Sequence, residues 1–187
     1  MPKIQIITGS TRPNRVNHQV AEWIHSVASQ RSDLEVEIVD IQDFNLPLLD
    51  EPMSAMMAAG KYQNEHTTKW STKIAEADAY IFVTPEYNHS TSAALKNAID
   101  YLYVEWNNKP AAIVSYGVQK GVRAAEHLRG ILAQLQVPTV AAQVTLDLIT
   151  DFEGFSTLKD LAQNHVTDAN TQLDQLTAWA TALKTIR

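Results

Sequence analysis

Short apolar runs alternate with amphipathic segments along the chain. Residues 4–8 are apolar and β-branched, which reads as a buried strand. Val16, Val20, Ile24 and Val27 then recur at three- and four-residue spacing, which predicts a helix over 17–29. EVEIVD, 35–40, predicts a second strand. NLPLLDEP, 45–52, breaks regular structure with two prolines, and its continuation to about Gln63 reads as a poor helix or a mobile excursion. Trp70, Ile74 and Ala77 mark a short helix. AYIFVT, 79–84, is the strongest strand signal and ends at Pro85. Leu95, Ala98, Ile99 and Leu102 mark the next helix, and AAIVSY, 111–116, a fourth strand. Leu128, Ile131, Leu132 and Leu135 share a helical face, 139–144 reads as a fifth strand, and Leu173, Leu176, Trp179 and Leu183 sit on a long final helix.

Strands alternating with helices predict an α/β fold: three αβα layers around a doubly wound, five-stranded parallel sheet. Two strand orders fit the pattern equally. The length of 187 residues suits one domain over 1–187. In such sheets ligands bind beyond the carboxyl ends of the strands. The turns after Thr8, Thr84 and Tyr116 therefore carry the functional expectation.

Charge sharpens the picture at the first turn. The formal net charge is -6, yet the first 21 residues hold Lys3, Arg12 and Arg15 and no acid. An acidic body disfavours nucleic acid and anionic membrane as partners, while its amino-terminal end favours a small anion. The absence of cysteine removes thiolate catalysis and thiolate metal sites, and fits a reducing cytoplasm. MPKIQII has no apolar leader region, so no signal peptide is expected. The six histidines show no metal-binding spacing, and no metal site is expected.

TGSTRPNRVNH, 8–18, joins the first strand to the first helix. Backbone N–H groups at a helix start, with the positive end of its dipole, hold phosphate. Ser10 and Thr11 add hydroxyl donors, Arg12 and Arg15 add forked charge, and Asn17 adds an amide or a cap. The turn lacks both G-x-G-x-x-G and the P-loop pattern. A hydroxyl-rich turn with one glycine suits a terminal phosphate monoester. After the third strand, Pro85 sets a turn, Tyr87 offers a flat face and Asn88 a donor and an acceptor, ahead of small residues. SYGVQKG, 115–121, is the third turn, with Gly117 and Gly121 allowing close approach.

GSTRPNRVN, TPEYNHSTSAALKNAID and SYGVQKGVRA, in this order and spacing, resemble the NADPH-dependent FMN reductase family over about 3–135. The resemblance implies a flavodoxin-like fold, FMN as cofactor and NADPH or NADH as co-substrate. It implies that Ser10, Thr11, Arg12, Arg15 and Asn17 hold the FMN phosphate. Pro85, Glu86, Tyr87 and Asn88 would border the isoalloxazine, and Ser115, Tyr116 and Gly117 its other side. It further implies ping-pong transfer to a small-molecule electron acceptor, such as a quinone, an azo compound or free flavin. A homodimer or homotetramer follows from the same resemblance. Two positions depart from the pattern: Arg15, where many relatives carry a small residue, and Gly121-Val122, where many carry Gly-Gly. A flavodoxin-type electron carrier without its own substrate is the alternative. A receiver domain is disfavoured because Thr8-Gly9-Ser10 and Thr84-Pro85 stand where it needs acids.

Overall fold

Five parallel strands form the centre of the computed structural model, which describes residues 1–187. They are β1 (Lys3–Thr8), β2 (Glu35–Asp40), β3 (Ala79–Pro85), β4 (Ala111–Gly117) and β5 (Val144–Asp147). Their order is β2-β1-β3-β4-β5, which settles the choice left open by the sequence pattern. The order reverses between β1 and β3, so the carboxyl ends of those strands flank the switch point. The fold is flavodoxin-like.

The strands carry apolar side chains on both faces, as burial in a parallel sheet demands. Alternation along each strand sends Ile4, Ile6, Ile81, Val83 and Val114 to one core and Ile7, Tyr80, Phe82 and Ile113 to the other. The first core is closed by α1 (Asn17–Ala28) and the 21-residue α6 (Gln163–Leu183). The second is closed by α3 (Glu65–Ala75), α4 (Ala93–Asp100) and α5 (Val122–Gln134), with α2 (Ala55–Ala58) a single turn in the preceding loop. Trp70 and Trp106 are fully buried there, and their indole N–H groups donate to the carbonyls of Ala98 (2.8 Å) and Ile99 (3.3 Å).

The fifth strand is displaced from its expected span of 139–144. Thr139 makes only an isolated bridge to Ala111, and the ladder to β4 starts at Val144. Two glutamines of α6 explain the gap. Gln172 donates to the carbonyls of Ile113 (2.9 Å) and Ala142 (3.1 Å), and Gln175 accepts from the Ala142 N–H (2.9 Å). Side chains thus take the bonds a strand would need there. Beyond β5 the chain forms a small antiparallel hairpin, β6 (Phe152–Glu153) and β7 (Thr157–Leu158), which the hydrophobic pattern does not announce.

The 46–63 excursion contains only α2, and carboxylates fasten its ends. Glu51 accepts from the N–H groups of Gln63 and Asn64, at 3.0 Å each. His66 and Tyr101 both bond Asp50, at 3.0 Å, and the His66 bond leads in holding that carboxyl below its usual range. Tyr62 donates to the buried Glu105 at 3.0 Å.

At the amino-terminal end of the sheet, Lys109 is 7% exposed and donates to the carbonyls of Ile74 (3.2 Å) and Ala75 (3.1 Å) and to the Tyr80 hydroxyl (3.1 Å). Burial, helped by Arg187, lowers its pKa to about 8. Between that value and the 10.5 of an unburied lysine, the unfolded chain keeps a proton that the folded chain has released. Stability from this group therefore rises with pH across that window. Urea unfolding of wild type and Lys109→Met from pH 7 to 10 should show wild type gaining about 2 kcal/mol relative to the variant; parallel pH profiles would contradict it.

Candidate active site

Gly9, at the end of β1, lies against the end of β3. A Cβ on Gly9 would stand 2.4 Å from the Val83 carbonyl oxygen, so glycine lets the two backbones meet. Asn17 then bridges the two strands. Its Oδ1 accepts from the Gly9 N–H and its Nδ2 donates to the Val83 carbonyl, both at 2.9 Å, and the residue is fully buried. Ser92 adds a third fastening: its hydroxyl donates to the Gly9 carbonyl at 2.5 Å and accepts from the Leu95 N–H at 3.0 Å, capping α4.

Held in this way, the turn presents the start of α1. That helix has no side-chain cap and no acid in its first turn. Its leading N–H groups, at the positive end of the dipole, thus have no capping side chain of their own. Ser10 is buried and shares a 2.9 Å hydrogen bond with the Tyr87 hydroxyl, which ties the first turn to the second. Thr11 and Arg12 are exposed. Arg15 is turned elsewhere: its guanidinium binds Asp40 and Gln42. The same Asp40 accepts from Thr8 at 2.8 Å and from the Gln42 N–H at 3.0 Å.

The second turn is a two-residue hairpin. Tyr87 and Ser90 exchange backbone hydrogen bonds of 2.9 and 3.2 Å, and Asn88 and His89 between them have φ of 51° and 70°. Two left-handed residues in succession make a type I′ turn. The Glu86 N–H donates to the Tyr116 carbonyl at 3.1 Å. The Glu86 carboxylate accepts from the Arg123 backbone N–H at 3.1 Å and pairs with its guanidinium at 2.5 Å, closing the second turn onto α5. The third turn is locked by Ser115, whose hydroxyl donates to the Lys120 carbonyl at 2.8 Å. Gly121 has φ of 70°, and a Cβ there would stand 2.8 Å from the Tyr116 nitrogen.

The three turns converge on a cleft of about 210 Å³ lined by Arg12 and Val16, Pro85, Glu86 and Tyr87, Tyr116 and Gly117, and Leu148 and Phe155. Six of the expected site residues line it: Arg12, Pro85, Glu86, Tyr87, Tyr116 and Gly117. Burial pushes the Tyr116 phenol well above its ordinary pKa, so it stays a neutral donor. Asn17, Arg15 and Ser115 are committed to protein partners and shape the turns from behind. Asn88 stands exposed at the hairpin tip. Val16 lies within the first motif without being an expected site residue, and no motif includes Leu148 or Phe155. A larger cleft of about 310 Å³ runs from Thr11 to Gln42, Asn45 and Asn97. Its lining carries no charged group, whereas Arg12 and Glu86 line the smaller one.

A doubly wound sheet with an open helix start beside a slot of strand-end backbone defines a flavodoxin-like flavoprotein. A profile of the family described as NADPH-dependent FMN reductase matches residues 2–151, and the chain belongs to that family. It is an oxidoreductase that works with FMN and NAD(P)H. It is 45% identical over 165 residues to the NAD(P)H-dependent FMN reductase ntnL of Nectria sp, covering 86% of this chain and 82% of the relative. It is 34% identical over 142 residues to a 2-hydroxy-1,4-benzoquinone reductase of Burkholderia sp, covering 72% of each. Among solved structures, the flavoenzyme FerB of Paracoccus denitrificans superposes with a TM-score of 0.74 over 97% of this chain and 98% of its own; at 21% identity it supports the fold.

Gly9→Ala should cost about 1–3 kcal/mol in urea unfolding, the scale for forcing atoms into a packed site. Gly130→Ala, in α5 with nothing within 4 Å of a new Cβ, should gain up to about 1 kcal/mol. Equal effects at the two glycines would contradict the close approach at Gly9.

Proposed function

We propose that this enzyme passes electrons from NAD(P)H to a small acceptor, a quinone, an azo compound or free flavin, by a ping-pong route in the cytoplasm. The observation that carries the reading is the convergence of an anion-binding helix start and two strand-end turns on one cleft. The donor set fits FMN: hydroxyls, open N–H groups and Arg12 for a phosphate, and apolar and backbone surface for a flat ring. FMN, when bound, supplies the two-electron chemistry, so the protein binds and orients. Ser10, Thr11 and Arg12 hold the phosphate, with Asn17 setting the turn and Arg15 tethering it to Asp40. Pro85 to Asn88 border the ring on one side, largely through backbone. Tyr116 and Gly117 border the other, where a neutral phenol and backbone donors favour negative charge on the ring. No side-chain acid or base is assigned.

The whole chain, 1–187, acts as one flavodoxin-like unit, and no helix is long and apolar enough to cross a membrane. Leu48, Met56 and Met57 are more than half exposed on the 46–63 excursion, which supports assembly as a homodimer or homotetramer. Light scattering should give at least twice the chain mass of 20.8 kDa; a monomer would refute assembly.

Arg12→Ala should weaken FMN binding by about 1.5–3 kcal/mol, the scale for a hydrogen bond to a charged group. Titration of FMN into apoprotein measures it, and unchanged affinity removes Arg12 from the phosphate site. Steady-state oxidation of NADPH with a benzoquinone should give parallel double-reciprocal lines. Intersecting lines would exclude ping-pong, and no turnover would favour the electron-carrier alternative.

A further inference from the structure

The hairpin after β5 lies outside the residues matched by the family profile, yet it supplies a wall of the cleft. At its tip Gly154 and Phe155 have φ of 56° and 57°. Glycine adopts that conformation freely, whereas phenylalanine rarely does. The Phe155 side chain is 59% exposed. A large aromatic residue in a disfavoured conformation, facing a cleft, asks for a purpose.

The surrounding segment is fixed to the site at several points. Gln19 of α1 holds the second arm of the hairpin, donating to the Ser156 carbonyl and accepting from the Leu158 N–H, at 2.9 Å each. Phe152 is 2% exposed and packs on Tyr116 with ring centroids 6.0 Å apart. The Leu148 N–H donates to the Gly117 carbonyl at 3.1 Å. Asp151 accepts from the Asp147 N–H at 2.7 Å, closing the turn between β5 and the hairpin. The phenyl ring is therefore carried on backbone tied to the phosphate helix, to Tyr116 and to the third turn, all of which border the same cleft. Arg12 supplies its positive charge, and Tyr87, Tyr116 and Phe155 give it aromatic surface.

We propose that Phe155 is a cofactor-binding residue that stacks on the flavin ring and shields it from water. The proposal rests on the FMN reading above. It adds an aromatic wall from this chain's own carboxyl-terminal segment, independent of the three motif-bearing turns. A planar aromatic ligand gains from such a wall through its ring, whether or not it carries a phosphate.

The test titrates apoprotein with FMN and, separately, with riboflavin, following quenching of flavin fluorescence. Phe155→Ala should weaken both ligands about tenfold, within the range for loss of one aromatic stacking partner. Phe155→Trp should restore both to within about twofold. Arg12→Ala should weaken FMN and leave riboflavin unchanged. Circular dichroism and melting temperature of the Phe155→Ala apoprotein should match wild type, since the side chain is exposed. Unchanged affinity of Phe155→Ala for both ligands, with Arg12→Ala weakened for FMN, overturns the aromatic wall and leaves the FMN reading intact. Loss for FMN alone also overturns it, because the hairpin would then act through Gln19 on the phosphate turn. A wild-type chain that binds neither ligand overturns both.

Discussion

One buried amide holds the seam on which the site is built. Asn17 joins the Gly9 N–H to the Val83 carbonyl, across the ends of the two strands where the sheet order reverses. Both groups sit away from water and would each lose a bond without it. The bridge turns Asn17, the first residue of α1, inward, and the cap position before it is Val16, which offers no side-chain acceptor, so the helix start has no side-chain cap. Gly9 completes the arrangement because its lack of a Cβ allows the two strand ends to come so close.

The two arginines of the turn divide their work for the same reason. Arg15 is bound to Asp40, which also collects Thr8 and the Gln42 N–H, so it anchors the turn to the end of β2. Arg12 is exposed and lines the cleft. Arg15 thus acts as a strut between the turn and β2, and Arg12 is the turn's arginine that lines the cleft. Glu86 plays a matching part on the far side, fastening the second turn to α5 through Arg123.

Much of this was legible in the sequence. The order of strands and helices follows from apolar periodicity, and the three strand-end turns follow from where the runs stop. The strand order was not legible, since two arrangements bury the same faces. The start of β5 was misplaced because Gln172 and Gln175, about 30 residues further on, take the backbone bonds of Ala142. The protein partners of Asn17, Arg15 and Ser115 are not legible, because Val83, Asp40 and Lys120 are brought to them by folding, not by neighbouring letters. Phe155 carried no signal, as a Gly-Phe pair in a polar loop resembles any turn.

A crystal structure of the protein grown with FMN tests the central claim most directly. The phosphate should lie at the start of α1, within hydrogen-bond reach of Ser10, Thr11 and Arg12, with the Asn17 amide still joining Gly9 to Val83. A phosphate bound elsewhere, or an Asn17 side chain swung out to meet it, would contradict the account.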